Sequence, residues 1–287
     1  MNFIQLKEEK GAGFGFLLMI CIYVLTAFVV QAVLGAFGLN SNSAKYMAIN
    51  GCVSAFACGT VILLYLKSSK TPVKEFLKSE KVTFDYIVYA ILLTAGMFFG
   101  LGFANQVFVE VLKQFGLHPH GIQLPLNSPL KLIVFIVVFA ILPAVFEELF
   151  FRKYLLDQTK TATSLAGIFV ISLFFAFYHM SLSQLIYQLS YGIALALLTK
   201  RAKSIYPAML SHFLNNFAVL MLTYFSIEVK LTNPFVIISG LLCLVIFFMG
   251  IYQKQERKSD DTAKLLLMPY GAIALLICLA LAVGGAL

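Results

Sequence analysis

The stretch LIVFIVVFAILPAVFEELFF, residues 132–151, decides the fold. Its first fifteen residues carry no charge, as in a membrane-spanning helix, yet it closes on two adjacent carboxylates, Glu147 and Glu148, with Arg152 just beyond. A charged side chain at the centre of a bilayer costs about 3 kcal/mol or more. Such groups therefore face a bundle interior or a watery cavity, and the segment reads as a transmembrane helix that carries a functional site.

Composition agrees with that reading over the whole chain. Of 287 residues, 61% are hydrophobic and 12% charged, and the mean hydropathy is +0.92, far from the profile of a soluble domain. The expected fold class is an all-α, polytopic transmembrane helix bundle of eight or nine spans with its site inside the membrane. Windows of about 20 apolar residues mark spans near 12–38, 46–66, 86–112, 131–156, 162–180, 184–199, 205–226, 233–252 and 266–286. They divide into N-terminal helices (1–120), a core bearing the polar groups (121–230) and C-terminal helices (231–287). The first apolar stretch ends without a small-x-small cleavage pattern, so it reads as a retained span rather than a signal peptide.

Basic residues set the orientation. With the N-terminus in the cytoplasm, seventeen Lys and Arg fall on inner segments and only Lys45, Lys113, Lys131 and Lys230 on outer ones. The net charge of +8 thus reflects topology, and no nucleic-acid partner is expected. The absence of an organelle-targeting segment and the compact loops favour a bacterial plasma membrane. The five cysteines lie inside apolar runs without CxxC spacing and read as packing residues, with neither disulfides nor a metal knuckle implied. Residues 70–84, KTPVKEFLKSEKVTF, read either as a short basic interfacial helix with Pro72 in its first turn or as a plain loop. His118 and His120 have a metal-compatible spacing, but no Cys or carboxylate stands near them, and they read as ordinary loop residues.

Polar groups concentrate between residues 147 and 216. Glu148 and Arg152 are four apart with the acid first, the favourable order for a helical ion pair. Glu147 is turned about 100° from Glu148, so it projects to another neighbour and is the carboxylate left for chemistry. In the next span Phe175 and His179 share a face. A turn near residue 163 sets Glu147 and His179 at one depth on neighbouring antiparallel helices, where they can meet. Gln184, Gln188 and Tyr191 form a stripe that reads either as interhelical glue or as the lining of a watery cavity. His212 and Asn216 are four apart on one face, with Asn215 to the side.

A carboxylate, two imidazoles and an amide, partly withdrawn from water, can activate water and stabilise an oxyanion. Hydrolysis of an amide bond is the natural reaction. No HExxH, GxSG or GxGD pattern offers another intramembrane route. Zinc held by Glu147, His179 and His212 stays open, since one Glu and two His form a known catalytic ligand set.

The three elements EELFFR (Glu147, Glu148, Arg152), FAFYH (Phe175, His179) and HFLNN (His212, Asn216) resemble the EExxxR, FxxxH and HxxxN motifs of the CPBP family, the CAAX protease and bacteriocin-processing (Abi) group. The resemblance covers roughly residues 130–225. It implies an α-helical intramembrane endopeptidase similar to the type II CAAX prenyl protease, acting on a membrane-embedded or lipidated peptide or protein. In that group Glu147 and His179 would activate water, His212 and Asn216 would form the oxyanion site, Glu148 and Arg152 would support it, and Phe175 would pack against it. No cofactor is firmly implied. The same group includes bacteriocin immunity and sensor-kinase partners, which keeps a non-catalytic membrane partner as the alternative. A proton-coupled transporter is a third reading, weakened by the lack of an inverted repeat.

Overall fold

Punctuation between the apolar runs sets the helix ends. The computed structural model describes residues 9–117, 124–156 and 165–256, and among these it is all helical. The histidines of the 118–120 loop, the turn near residue 163, Cys278 and the span 266–286 lie outside the described residues. The helices are α1 (Glu9–Ala36), α2 (Ala44–Ser69), α3 (Val73–Phe76), α4 (Phe84–Gln114), α5 (Pro129–Leu155), α6 (Leu165–Tyr178), α7 (Leu182–Ala202), α8 (Tyr206–Tyr224) and α9 (Pro234–Glu256).

Ser43 caps α2 by accepting the Tyr46 N–H at 3.3 Å, and Ser128 caps α5 by accepting the Lys131 N–H at 3.4 Å with Pro129 at the first helical position. At the opposite ends Lys70 and Lys203 take left-handed conformations, φ 55° and 49°, closing α2 and α7. Lys67 in the last turn of α2, and Lys200 with Arg201 in that of α7, add positive charge where the helix dipole is negative.

Six helices, α1, α2, α4, α5, α7 and α9, are long and apolar enough to cross a membrane, so the chain is a multi-pass membrane protein. The expected span 162–180 is described only as α6, whose 14 residues rise about 21 Å, less than the roughly 30 Å of hydrocarbon. Helix α8 carries His212, Asn215 and Asn216 within its 19 residues. Residues 70–84 resolve into one helical turn, α3, with Pro72 just before it, inside an otherwise irregular loop. Phe76 anchors that turn in the core. Lys153 donates to the Lys78 carbonyl, Glu80 N–H donates to Lys203 O at 3.1 Å, and Tyr86 donates to Arg201 O. The loop thus joins the basic ends of α5 and α7.

Apolar packing is divided among three clusters. The first unites α1, α2, α6 and the second half of α5; the second unites α4, α7 and α9; the third joins the first half of α5 to α8. Two fully buried cysteines, Cys58 and Cys243, belong to the first two, as expected of packing residues. The polar groups of the core lie where the three clusters meet.

Candidate active site

Helix α5 is irregular around its carboxylates. It widens into π-type turns over Val137–Ile141 and Leu149–Leu155, on either side of Glu147 and Glu148. Pro143 supplies a cause for the first. It has no N–H to offer the Phe139 carbonyl four residues earlier, and a freed carbonyl in hydrocarbon must find another donor. Asn216 provides it: its Nδ2 donates to Phe139 O at 3.0 Å. The conformation of α5 and the side chain of α8 are therefore coupled.

The Glu148–Arg152 ion pair expected from the sequence forms, at 3.0 Å, with both side chains fully withdrawn from the surface. Arg152 is held on three sides. It also reaches the Gly192 carbonyl at 3.5 Å, and its guanidinium carbon stands 4.2 Å over the Phe175 ring. Gly192 fits the close approach here, because a Cβ would lie 3.0 Å from that of Ser172 and 3.3 Å from the Phe175 ring and would press both aside by a few tenths of an ångström. Its absence lets α6 and α7 close on the guanidinium.

Glu148 Oε1 has a second partner, His212 Nδ1, at 2.8 Å. The carboxylate can only accept, so Nδ1 carries the proton and Nε2 is turned the other way. It faces Glu147, whose Oε2 lies 4.0 Å from it. That spacing is too long for a hydrogen bond and is the kind a water bridges. Glu147 Oε1 accepts from the Tyr178 hydroxyl at 3.2 Å. Among the described residues, Glu147 Oε2, Glu148 Oε2 and Arg152 Nε are buried without a hydrogen-bond partner. Polar atoms of this kind cost about 1–3 kcal/mol each unless water or another donor pairs them.

The depth argument holds to within one residue. Glu147 meets Tyr178 across α5 and α6, but no ion pair joins it to His179 among the described residues. The reason is local: α6 ends at Tyr178, and His179 stands in the turn, followed by Met180 at φ 47°. Its Nδ1 donates back to the Phe175 carbonyl at 2.7 Å, one of the orphan carbonyls of a helix C-terminus. Its Nε2 is left free, 4.8 Å separating the imidazole and Phe175 ring centres. Both imidazoles are thus oriented through Nδ1 and present Nε2.

Several participants were not singled out in the sequence. Asn215, set aside as off to the side, is buried, accepts from Tyr187 and donates to Asn216 Oδ1 at 3.3 Å. Ser211 bonds both Tyr191, at 2.9 Å, and Thr94, at 3.0 Å, tying α4 and α7 to α8. The stripe on α7 therefore divides: Tyr191 joins helices inside, while Gln188 bonds Gln184 at 3.2 Å on the outside. Ser211 and Thr94 carried a signal, as hydroxyls in apolar runs, though a weak one.

No group of three His, Cys, Asp or Glu side chains converges closely enough to hold a metal ion among the described residues. Glu147, His179 and His212 do not converge on one point in this arrangement.

Residues 129–218 match the family model described as type II CAAX prenyl endopeptidase Rce1-like, a span that contains every residue of the three motifs. The match supports a CAAX/CPBP-type intramembrane protease family, and with it a protease acting on a membrane-associated protein. No curated protein and no solved structure matches the chain.

Proposed function

We propose, from the premise that residues 129–218 are similar to the type II CAAX prenyl endopeptidases, that the chain is an intramembrane endopeptidase in which Glu147 activates the attacking water. The observation that carries this is the Glu147–His212 gap: a buried carboxylate oxygen without a partner faces a free imidazole nitrogen at 4.0 Å. A water about 2.8 Å from both atoms sits off the line between them, bonded to each.

In the reaction the water oxygen bonds to the scissile carbonyl carbon while its proton passes to Glu147. The C–N bond then breaks, and the proton moves from Glu147 to the leaving nitrogen, giving a new carboxyl end and a new amine end. We assign His179, held through Nδ1 by the Phe175 carbonyl, to assisting the proton transfer. His212, held by Glu148, and the second N–H of Asn216 serve as donors to the oxyanion, each worth about 3 kcal/mol in comparable sites. Glu148 accepts the His212 Nδ1 proton, and Arg152 pairs with Glu148 in turn.

Depth supports a substrate approaching from the basic side. Glu147 is eight residues, about 12 Å, from the end of α5, and His212 is six residues, about 9 Å, from the start of α8. Both ends lie beside the lysine-rich 70–84 loop, which we assign to the cytoplasm by charge. A lipidated C-terminal segment inserted from that face brings its amide bonds to this level.

The test is to express wild type and Glu147→Ala in matched membranes and to compare membrane and released peptides by mass spectrometry, with a chelator in a parallel arm. A cleavage seen only with Glu147, and surviving the chelator, is expected. Identical peptide sets at equal protein levels would overturn the reading and favour a non-catalytic partner.

A further inference from the structure

We propose that Tyr178 is a positioning residue for the attacking carboxylate, its hydroxyl holding Oε1 of Glu147 so that Oε2 faces His212. This rests on the reading of Glu147 as general base. A glutamate has three side-chain torsions, and a base acts efficiently only when the reacting oxygen is held near the attacking water. The Tyr178 hydroxyl is the donor on Oε1, at 3.2 Å.

The tyrosine is itself held. It is 4% exposed, its ring centre lies 5.6 Å from that of Phe151 and 5.7 Å from that of Tyr23, and Ser54 of α2 stands beside its hydroxyl. Packing alone does not call for a tyrosine here. The surroundings of Tyr178 are phenylalanine-rich, with Phe151, Phe174 and Phe175 nearby, and a buried hydroxyl costs free energy unless it is bonded. The hydroxyl is therefore the feature that distinguishes this position: it donates to the Glu147 carboxylate at 3.2 Å and is bonded by the Ser54 side chain as well.

The inference also gives α1 and α2 a part in the site. Both lie outside the segment that matches the family model. Through Tyr23 and Ser54 they form the wall that fixes the angle of Tyr178.

The experiment uses the full chain carrying Tyr178→Phe, which keeps the ring and removes only the oxygen. With a farnesylated CAAX-box peptide as probe, kcat is expected to fall about tenfold with KM within about twofold of wild type. The midpoint of thermal unfolding should fall by no more than the loss of one buried hydrogen bond explains, with folded protein still recovered for the assay. In infrared spectra the Glu147 band, assigned by its loss in Glu147→Gln, should shift in Tyr178→Phe. An unchanged kcat in a preparation whose wild type cleaves the probe overturns the inference. So does an unmoved band, or an activity loss fully explained by lost folded protein. A wild type that leaves the probe intact counts against the protease reading instead, and the infrared band alone then decides whether Tyr178 holds Glu147.

Discussion

Two seams hold this bundle together by opposite means. Between α4 and α9, Gly100 and Gly240 bring backbones into contact, and a Cβ on Gly240 would fall 2.7 Å from Gly100 Cα. At that crossing van der Waals contact of small residues does the work, as expected where lipid competes with apolar side chains on equal terms. Between α5, α6 and α8 the helices are joined through Glu147, Glu148, Arg152, Tyr178 and His212, with three buried polar atoms unpartnered among the described residues. The first seam is optimised for cohesion. The second leaves oxygen and nitrogen atoms unpaired, the arrangement expected of the reactive site proposed above rather than of a purely structural joint.

That contrast can be broken at several points. The largest effect on stability is expected from Arg152→Met, which leaves Glu148 a buried carboxylate without its cationic partner and costs about 3–5 kcal/mol. Thermal unfolding in detergent measures it, and adding Glu148→Gln should recover much of the stability while leaving cleavage absent. Gly240→Leu should cost about 3 kcal/mol by forcing the backbones apart. Here cleavage per folded molecule should stay at the wild-type rate, a split that separates the two seams directly.

A smaller effect sharpens the link between α5 and α8. Asn216→Ala orphans the Phe139 carbonyl at a cost of about 1–3 kcal/mol. Pro143→Ala restores a backbone N–H for that carbonyl, so the double variant should be less destabilised than the sum of the singles, as a double-mutant cycle reads. Gln184→Ala is expected to change stability by less than about 0.5 kcal/mol, because its bond to Gln188 lies on the exterior. A larger loss would mean that this part of α7 belongs to the site.

Much of this was legible without coordinates. The apolar runs announced membrane helices because a backbone in hydrocarbon must satisfy its own hydrogen bonds, and length and hydropathy then suffice. The Glu148–Arg152 pair was legible because four residues along a helix return to the same face. The pairing of Glu147 with His179 was less so. Periodicity extends a helix until something stops it, and it did not reveal that α6 ends one residue before the histidine.

What the sequence by itself determined is therefore the class of molecule and the parts of a candidate site: an all-helical membrane bundle with charged groups, Glu147, Glu148 and Arg152 among them, placed where a charge in hydrocarbon needs a partner or a function. What only the tertiary structure decided is how those parts divide their partners. His212 goes to Glu148, Tyr178 to Glu147, and Asn216 to the carbonyl that Pro143 leaves free. Spacing along a helix fixes which face a side chain takes, but the partner it meets depends on the crossing of helices distant in the chain, and those crossings are set by packing across the whole bundle.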